Sequence, residues 1–332
     1  MLNFYKILFF NLLIFSTFIT ISSMSWLSAW IGLEMNLLAL IPLMKNFKNK
    51  YSAEASIKYF ITQAMASSML LFSIIIFLQL KNFNYFMIMF SYFFLNSALL
   101  LKLGMAPFHY WLPEVISGLN WNIIMLLLTW QKIGPMILLS YSLYNPQFMS
   151  IIIIISSFIG SIQGMNQICL RKILTYSSIN HMSWMISNLM SSFNTWMIYF
   201  LIYSLINLNI IIILLKYKIY YFNQLTKLFS LNIYMKFFFM LNLLSLGGLP
   251  PFLGFFPKWL TVNSLIMNNF YTLSFILIIF TLISLFFYLR ISFSSFLLNN
   301  NKSLIFSLKN SFYFLFYTNL MSLMGLSIIF II

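Results

Sequence analysis

The sequence contains no aspartate and only three glutamates, Glu34, Glu54 and Glu114, against eighteen lysines and arginines. Charged residues occupy 6% of its 332 positions, whereas a water-soluble domain usually has about 25%. Hydrophobic residues make up 62% of the chain. This shortage of charge excludes an ordinary soluble domain, because too few charged side chains are present to cover a surface that faces water.

Cysteine and histidine are also scarce, and the glycines are scattered. A single cysteine, Cys169, excludes a disulfide bond within the chain and a cysteine-rich metal site. The two histidines, His109 and His181, are too few and too far apart in sequence for a convincing metal site. The ten glycines form neither a GxGxxG nor a GxxxxGK[ST] loop. We therefore expect the chain itself to bind no metal, nucleotide or redox cofactor.

Long apolar segments dominate the rest of the sequence. A helix that crosses a bilayer needs about 20 mainly apolar residues, and the hydropathy allows about eleven such segments. They predict an all-α polytopic membrane protein with one transmembrane domain over residues 1–332. The predicted segments are about 3–22, 25–44, 57–80, 85–105, 121–143, 147–169, 173–191, 194–215, 237–268 (broken near Pro250 and Pro251), 270–290 and 311–331.

The basic residues are distributed unevenly between the loops. If each segment crosses once, one side of the membrane receives fourteen of the eighteen basic residues and the other receives only Lys81. Positive charge collects on the side from which a membrane protein is inserted. The asymmetry supports eleven crossings and places the N-terminus on the cytoplasmic or matrix side. The uneven distribution also indicates that the net charge of +15 reflects the membrane topology of the chain and not nucleic-acid binding.

Two stretches interrupt the apolar pattern in a similar way. A helix that ran through Leu101–Glu114 would break at Pro107, which lacks an amide donor and clashes with the preceding turn. The stretch Leu244–Phe252 repeats the order L-x-L-G-x-x-P and is followed by Lys258. Broken helices that carry charge at membrane depth are where transporters usually place their functional groups. The sequence predicts two discontinuous helices, near residues 101–117 and 244–262.

Four charged residues lie inside the predicted segments. Glu34 and Lys132 are near mid-span, and Lys102 and Lys258 lie beside the two breaks. A charge at the centre of a membrane helix costs roughly 2.5–3.5 kcal/mol on insertion scales. Burial disfavours the charged form of such a residue and a nearby opposite charge favours it, so the residue could load and release a proton as its partner moves. The same residues could instead form structural ion pairs, or the lysines could extend to the interface.

Three further residues are open to two interpretations each. His181 lies within a segment and could be a relay residue or a hydrogen-bonded core histidine. His109 and Glu114 fall just past the first break, toward the basic side, and could supply protons to the interior or cap the broken helix. Glu54 is expected to be a solvated loop charge. A line of polar residues could hydrate a path but more commonly links helices; it consists of Gln163, Asn166, Gln167, Ser177, Ser178 and Asn180.

Four stretches resemble the antiporter-like membrane subunits of respiratory complex I. The stretch Lys102–Glu114, KLGMAPFHYWLPE, resembles the family signature K-x-G-x-x-P-F-H-x-W-L-P-[DE]. Two later stretches resemble later family motifs: YSSINHMSW at Tyr176–Trp184 and GLPPFLGFFPK at Gly248–Lys258. The stretch WIGLEMN at Trp30–Asn36 resembles the early helix that carries the family's glutamate. The four resemblances occur in the family's order along the chain.

The resemblance implies a fold of paired inverted five-helix repeats, each with one discontinuous helix. It implies that Glu34 and Lys102 form an ion pair, that Lys132 relays protons and that Lys258 gates the outer half-channel. In this family NADH, FMN, iron–sulfur clusters and ubiquinone belong to other subunits. The implied partners are the lipid bilayer and other membrane subunits of the complex, including neighbouring antiporter-like subunits.

The function implied by the resemblance is that of a core membrane subunit of the proton-pumping NADH:ubiquinone oxidoreductase of the mitochondrial inner membrane. Two alternatives belong to other classes. A stand-alone cation/proton antiporter could use the same buried lysines, and it would exchange ions in liposomes without electron transfer. A purely structural membrane subunit would tolerate the replacement of Lys132 by Met with pumping intact.

Overall fold

The computed structural model describes residues 4–46, 49–79, 85–225 and 233–297, together with Asn319. About 85% of the structure is helical. Within the described ranges the chain contains no β-strand, and the nearest approach to one is an isolated antiparallel bridge between Cys169 and Tyr221. The predicted all-α class is confirmed.

Thirteen α-helices and one short 3-10 turn, at Phe222–Gln224, occupy the described ranges. In chain order the helices are α1 (Phe4–Ile21), α2 (Trp26–Met44), α3 (Lys50–Gln79), α4 (Tyr85–Leu103), α5 (Trp111–Gly118), α6 (Trp121–Leu128), α7 (Trp130–Tyr141), α8 (Pro146–Met165), α9 (Leu170–Ser191), α10 (Phe193–Tyr217), α11 (Ile233–Gly247), α12 (Phe255–Met267) and α13 (Tyr271–Leu297).

The predicted apolar segments coincide with these helices wherever the structure describes them. The last predicted segment, about 311–331, lies outside the described residues except for Asn319. Seven helical spans of the described chain are long and apolar enough to cross a membrane, so a count of eleven is not confirmed. Helix α9 is not among the seven because its serines and asparagines lower its hydropathy. Every residue from Ile173 to Leu189 is nevertheless buried.

The chain divides into two compact units, residues 1–155 and 156–332. In the first unit, α2 packs along α1, α3 packs against α4 and α5, and α7 contacts α1, α2 and α4. In the second unit, α9 contacts α10, α12 and α13, and α11 packs against α10 and α13. Each unit contains one of the two predicted breaks.

The first break separates α4 from α5. Gly104 has a φ of 71°, a left-handed conformation that is accessible to glycine at little cost. The amide of Gly104 donates to the carbonyl of Leu101, and the amide of Met105 donates to the carbonyl of Leu100, each at 3.1 Å. This pair of bonds is a Schellman motif, which satisfies two of the last four carbonyls of a helix. The predicted break is confirmed, but the helix already ends at the glycine, three residues before Pro107.

The second break separates α11 from α12 by the same device. Gly248 has a φ of 78°. Its amide donates to the carbonyl of Ser245 at 3.0 Å, and the amide of Leu249 donates to the carbonyl of Leu244 at 3.5 Å. The predicted second discontinuity is therefore confirmed, again as a Schellman motif.

The repeated order L-x-L-G-x-x-P aligns the two breaks one residue out of register. It pairs Gly104 with Gly247, whereas the residue with positive φ in the second break is Gly248. Gly247 is the last residue of α11, and the left-handed residue follows it. Since both positions are glycine, the sequence order alone could not distinguish them.

A further interruption, not predicted, separates α6 from α7 at Thr129. The Thr129 hydroxyl donates to the carbonyl of Met125 at 2.7 Å, and Pro135 removes an amide donor from α7. Hydroxyl bonding to the preceding turn and an internal proline both bend helices. The amide of Lys132 donates to the carbonyl of Thr129 at 3.2 Å, so the lysine lies in the first turn after the bend.

Candidate functional site

A cavity in the first unit lies between α2, α3, α4 and α7. Its empty volume, part of it open to the outside, is about 440 Å³. Lys102 and Lys132 both line it, and they are only 8% and 2% exposed. The structure therefore brings together two of the lysines predicted as relay residues. The other lining residues are Leu33, Asn36, Leu37, Tyr59, Gln63, Leu103, Trp111, Leu112, Leu127, Gln131 and Pro135.

Glu34 lies on α2, next to the wall of this cavity. Its neighbours Leu33 and Asn36 line the cavity, and its carboxylate is within electrostatic range of Lys102 and of the Tyr59 hydroxyl. No direct ion pair joins Glu34 to Lys102, although both lie in the described part of the chain. Its buried Oε1 atom accepts no hydrogen bond. The pairing implied by the resemblance is thus an interaction at a distance in this structure.

Amide side chains complete the polar wall of the cavity. The Gln131 Nε2 donates to the Asn36 Oδ1 at 2.8 Å and so links α7 to α2. Each of the two amides is close in sequence to a predicted relay residue, Lys132 or Glu34. Gln63 of α3 is 5% exposed, and its buried Nε2 donates no hydrogen bond. Sequence reasoning missed these amides, but an amide within an apolar segment and beside a buried charge was an available signal.

A charged cluster lies on the surface near the start of α5. The Lys58 Nζ is 2.8 Å from the Glu54 Oε1 and 2.9 Å from the Glu114 Oε2, and all three side chains are 42–61% exposed. Glu114 is in the first turn of α5, where the helix dipole favours a carboxylate. Glu54 lies within α3, so its assignment to a loop is wrong.

His109 is fully buried in the break.

Lys258 caps the end of α11 in the second unit. It projects from α12, and its Nζ donates to the carbonyl of Gly247 at 2.8 Å and to that of Leu246 at 3.3 Å. The Schellman motif leaves these two carbonyls without amide donors, and the helix dipole favours a cation there. A Cβ added to Gly248 would lie 2.8 Å from the Lys258 Nζ, so the left-handed glycine also makes room for the ammonium.

His181 borders a second cavity within the second unit, whose empty volume of about 210 Å³ is partly open to the outside. It is 6% exposed, and its Nδ1 is 2.9 Å from the hydroxyl of Tyr199 on α10. The ring of Tyr203 is 5.1 Å from the imidazole, centroid to centroid. Leu246, whose carbonyl accepts from Lys258, also lines this cavity. A hydrogen-bonded histidine on a cavity wall is compatible with both interpretations of His181.

Part of the predicted polar line links helices. Ser177 and Ser178 on α9 donate to the carbonyls of Leu174 and Thr175 in their own helix, and they interact with the hydroxyls of Tyr288 on α13 and Tyr203 on α10, respectively. This is the commoner role expected for hydroxyls between membrane helices. In the part of the chain that the structure describes, no group of three or more histidine, cysteine or acidic residues could hold a metal ion.

Comparisons with known proteins agree with this architecture. A family model described as NADH:quinone oxidoreductase/Mrp antiporter, TM, matches residues 23–284. The chain is 50% identical to NADH-ubiquinone oxidoreductase chain 2 of Anopheles gambiae, over 92% of this chain and 89% of the relative. It is 44% identical to the chain of the same name from Locusta migratoria, over 91% and 88%.

Solved structures show the same fold at lower identity. A chain of respiratory complex I from Thermus thermophilus aligns with a TM-score of 0.88 at 21% identity, over 97% of this chain and 78% of that chain. A chain of the Mrp complex from Dietzia aligns with a TM-score of 0.74 at 14% identity, over 84% and 58%. The fold is thus that of the antiporter-like membrane subunits, a class of polytopic helical proteins with discontinuous helices.

Within that class, the chain belongs to the NADH-ubiquinone oxidoreductase chain 2 family.

Proposed function

We propose that this chain is a core membrane subunit of a proton-pumping NADH:ubiquinone oxidoreductase, complex I. In this proposal it relays protons across the membrane through Glu34, Lys102, Lys132 and Lys258, while electron transfer from NADH to ubiquinone takes place in other subunits. The observation that carries the proposal is the cavity of the first unit, where two almost fully buried lysines share one polar space beside the half-buried Glu34.

The first unit contains the parts that a proton relay needs. The charge state of a buried lysine depends on its withdrawal from water and on nearby carboxylates, and these two influences oppose each other. Glu34 acts on Lys102 without a direct contact, so a small movement of either side chain changes the balance. Lys132 lies on the same cavity, and the amides of Asn36 and Gln131 provide further hydrogen-bonding groups on its wall.

The second unit supplies the outer end of the proposed path. Lys258 holds its proton against two carbonyls at the end of α11, and His181 lies on a cavity that reaches Leu246 of the same helix end. We assign His181 and Lys258 to successive steps of the relay. Glu114 and His109 stay predictions: the first is bound by Lys58 at the surface, and the second is buried in the break.

We further propose that no redox cofactor binds to this chain and that its partners are other membrane subunits of the complex, neighbouring antiporter-like subunits among them. The proposed location is the mitochondrial inner membrane, with the N-terminus and most basic loops on the matrix side. In each unit, one contact joins two segments whose ends are predicted to lie on this basic side. Glu114 binds Lys58 at the start of α3, and Arg290 donates to the carbonyl of Met165 at 2.7 Å, just before the basic start of α9.

The relay role is tested with Glu34→Gln in the assembled complex. The substitution keeps the shape and removes the charge. We expect NADH-driven proton pumping to fall by about tenfold or more, because a positioned proton-transfer group typically contributes roughly 10²–10⁴ in rate. The measurement is acidification of proteoliposomes per NADH oxidised.

Glu54→Gln is the matched control, because Glu54 is exposed on α3 and lies outside the cavity. It should pump as the unmodified enzyme does. Normal pumping by a fully assembled Glu34→Gln enzyme would remove Glu34 from the relay.

Cation/proton exchange by the chain alone is the second candidate function. The similarity to a chain of an Mrp complex favours it at the level of fold, and the buried lysines would serve either activity. Purified chain in liposomes with an imposed cation gradient tests it. Exchange without electron transfer, abolished by Lys132→Met, would establish the antiporter function, whereas recovery of the chain only within a large NADH-oxidising assembly would exclude it.

A further inference from the structure

We propose that Tyr199 is a positioning residue for His181, holding the imidazole on the wall of the second-unit cavity while the ring gains and loses a proton. The inference rests on the proposed relay role of His181 and extends it to a residue that nothing in the sequence pattern distinguishes. Tyr199 is one of nineteen tyrosines in the chain.

The contact between the two side chains is direct and buried. The Tyr199 hydroxyl is 2.9 Å from the His181 Nδ1, and Tyr199 is 1% exposed. A buried tyrosine hydroxyl needs a hydrogen-bond partner, because leaving it without one costs free energy. The histidine supplies that partner, so the contact ties the orientation of the imidazole on α9 to α10.

A hydroxyl suits a ring whose protonation changes. Imidazolium donates from Nδ1, whereas neutral imidazole can donate or accept there, according to its tautomer. The Tyr199 hydroxyl can take the opposite role in each case by rotating its hydrogen. The bond between Tyr199 and His181 therefore persists in either protonation state, which an ionised carboxylate at the same position could not ensure because it only accepts.

The surroundings of the pair lead toward Lys258. The cavity that His181 and Tyr199 line is also lined by Ser245, Leu246 and Pro257. Leu246 accepts a hydrogen bond from the Lys258 Nζ at 3.3 Å. The imidazole of His181 thus borders a cavity that extends to Leu246, at the end of α11 where the ammonium of Lys258 is bound.

The test compares four variants in the assembled complex: Tyr199→Phe, His181→Gln, the double variant and Tyr288→Phe. Tyr288 is the matched control, since it is also 1% exposed and its hydroxyl interacts with Ser177 instead of His181. Tyr199→Phe should lower proton pumping per NADH by about three- to tenfold, the size expected for the loss of one buried hydrogen bond. Tyr288→Phe should leave the ratio unchanged.

Non-additivity separates positioning from a general structural effect. If Tyr199 acts through His181, then Tyr199→Phe adds no further loss in the His181→Gln background. Losses that multiply in the double variant, or equal losses in Tyr199→Phe and Tyr288→Phe, would overturn the inference. Should Tyr199→Phe not assemble, Tyr199→His, which keeps a hydrogen-bonding ring, is compared in the same two backgrounds with the same criterion.

The two levels of the proposal fail in different ways. Normal pumping by His181→Gln refutes the relay role of His181 itself. Reduced pumping by His181→Gln together with normal pumping by an assembled Tyr199→Phe enzyme refutes only the role of Tyr199.

Discussion

The two helix breaks share a backbone design but differ in what occupies the end of the first half-helix. At the first break, the indole Nε1 of Trp111 donates to the carbonyl of Leu101 at 3.1 Å, and Lys102 lines the cavity. At the second, the ammonium of Lys258 itself donates to the last two carbonyls of α11. Both helices end in a Schellman motif with a left-handed glycine.

The difference shows that similar sequence motifs use their lysines in two ways. Lys102 belongs to the helix before the break, so its ammonium is available to interact with Glu34. Lys258 belongs to the helix after the break, and its ammonium compensates the partial negative charge of a helix end, which is equivalent to about half an elementary charge. The first lysine is therefore dispensable for the helix end, whereas the second caps α11.

The largest expected effect comes from removing each lysine in turn. Lys258→Met should lower both proton pumping and the stability of the assembled subunit, the latter by about 1.5–3 kcal/mol, because hydrogen bonds to a charged group are lost from a buried helix end. Lys102→Met should lower pumping only, since it replaces a buried charge without uncapping a helix. Thermal inactivation of the complex and pumping in proteoliposomes measure the two effects. Equal stability of the two variants would contradict the distinction.

Glycine substitutions at the two breaks sharpen the comparison. Both Gly104→Ala and Gly248→Ala force a side chain into the left-handed region, at a cost of about 1–2 kcal/mol. At Gly248 the added methyl also meets the Lys258 Nζ, whereas at Gly104 it meets the Leu112 Cδ1 at 2.7 Å. Gly248→Ala should therefore reduce pumping per NADH in addition to stability, and Gly104→Ala should reduce stability alone. The idea is contradicted if the pumping ratio is unchanged in Gly248→Ala.

A smaller effect is expected from Trp111→Phe, which removes the indole donor of the first break. The carbonyl of Leu101 keeps its bond from the amide of Gly104, so the loss should be about 0.5–1.5 kcal/mol of stability. Pumping per NADH should stay normal because Lys102 is untouched. A fall in pumping comparable to that of Lys102→Met would show that the indole has more than a capping role.

The smallest effect is expected at the surface, from Glu114→Gln. Lys58 keeps Glu54 as its second partner, and exposed ion pairs contribute little to stability. Assembly and pumping should match the unmodified enzyme within the error of native gels and proteoliposome assays. Reduced pumping in a fully assembled Glu114→Gln enzyme would instead favour proton supply by this residue.

Much of this architecture could be predicted from the sequence, because the length of an apolar segment and the glycines and prolines that interrupt it are local signals. The segment positions and both breaks, near Pro107 and Pro250, follow from patterns within one stretch of chain. The bend at Thr129 could not be predicted in this way, since it depends on a single hydroxyl in an otherwise apolar run.

The details of the site depend on contacts between residues far apart in sequence. Lys258 caps Gly247 across a break whose geometry cannot be derived from the sequence, and the bond from Gln131 to Asn36 joins residues 95 positions apart. Burial of charge could be predicted from composition and hydropathy, because Glu34, Lys102, Lys132 and Lys258 stand in apolar segments. Which partner each charge has could not be predicted, since that depends on the packing of helices.

The relay role of the buried charges is tested by proton pumping per NADH in an assembled complex that carries Lys132→Met. Lys132 is 2% exposed on the cavity wall and lies in α7, outside both helix breaks, so its replacement changes a cavity charge without changing the sequence of either break. The exposed Lys45, substituted in the same way, is the control. We expect a loss of pumping of about tenfold or more in Lys132→Met with normal assembly. Pumping at the unmodified ratio would contradict it and leave the buried charges with a structural role.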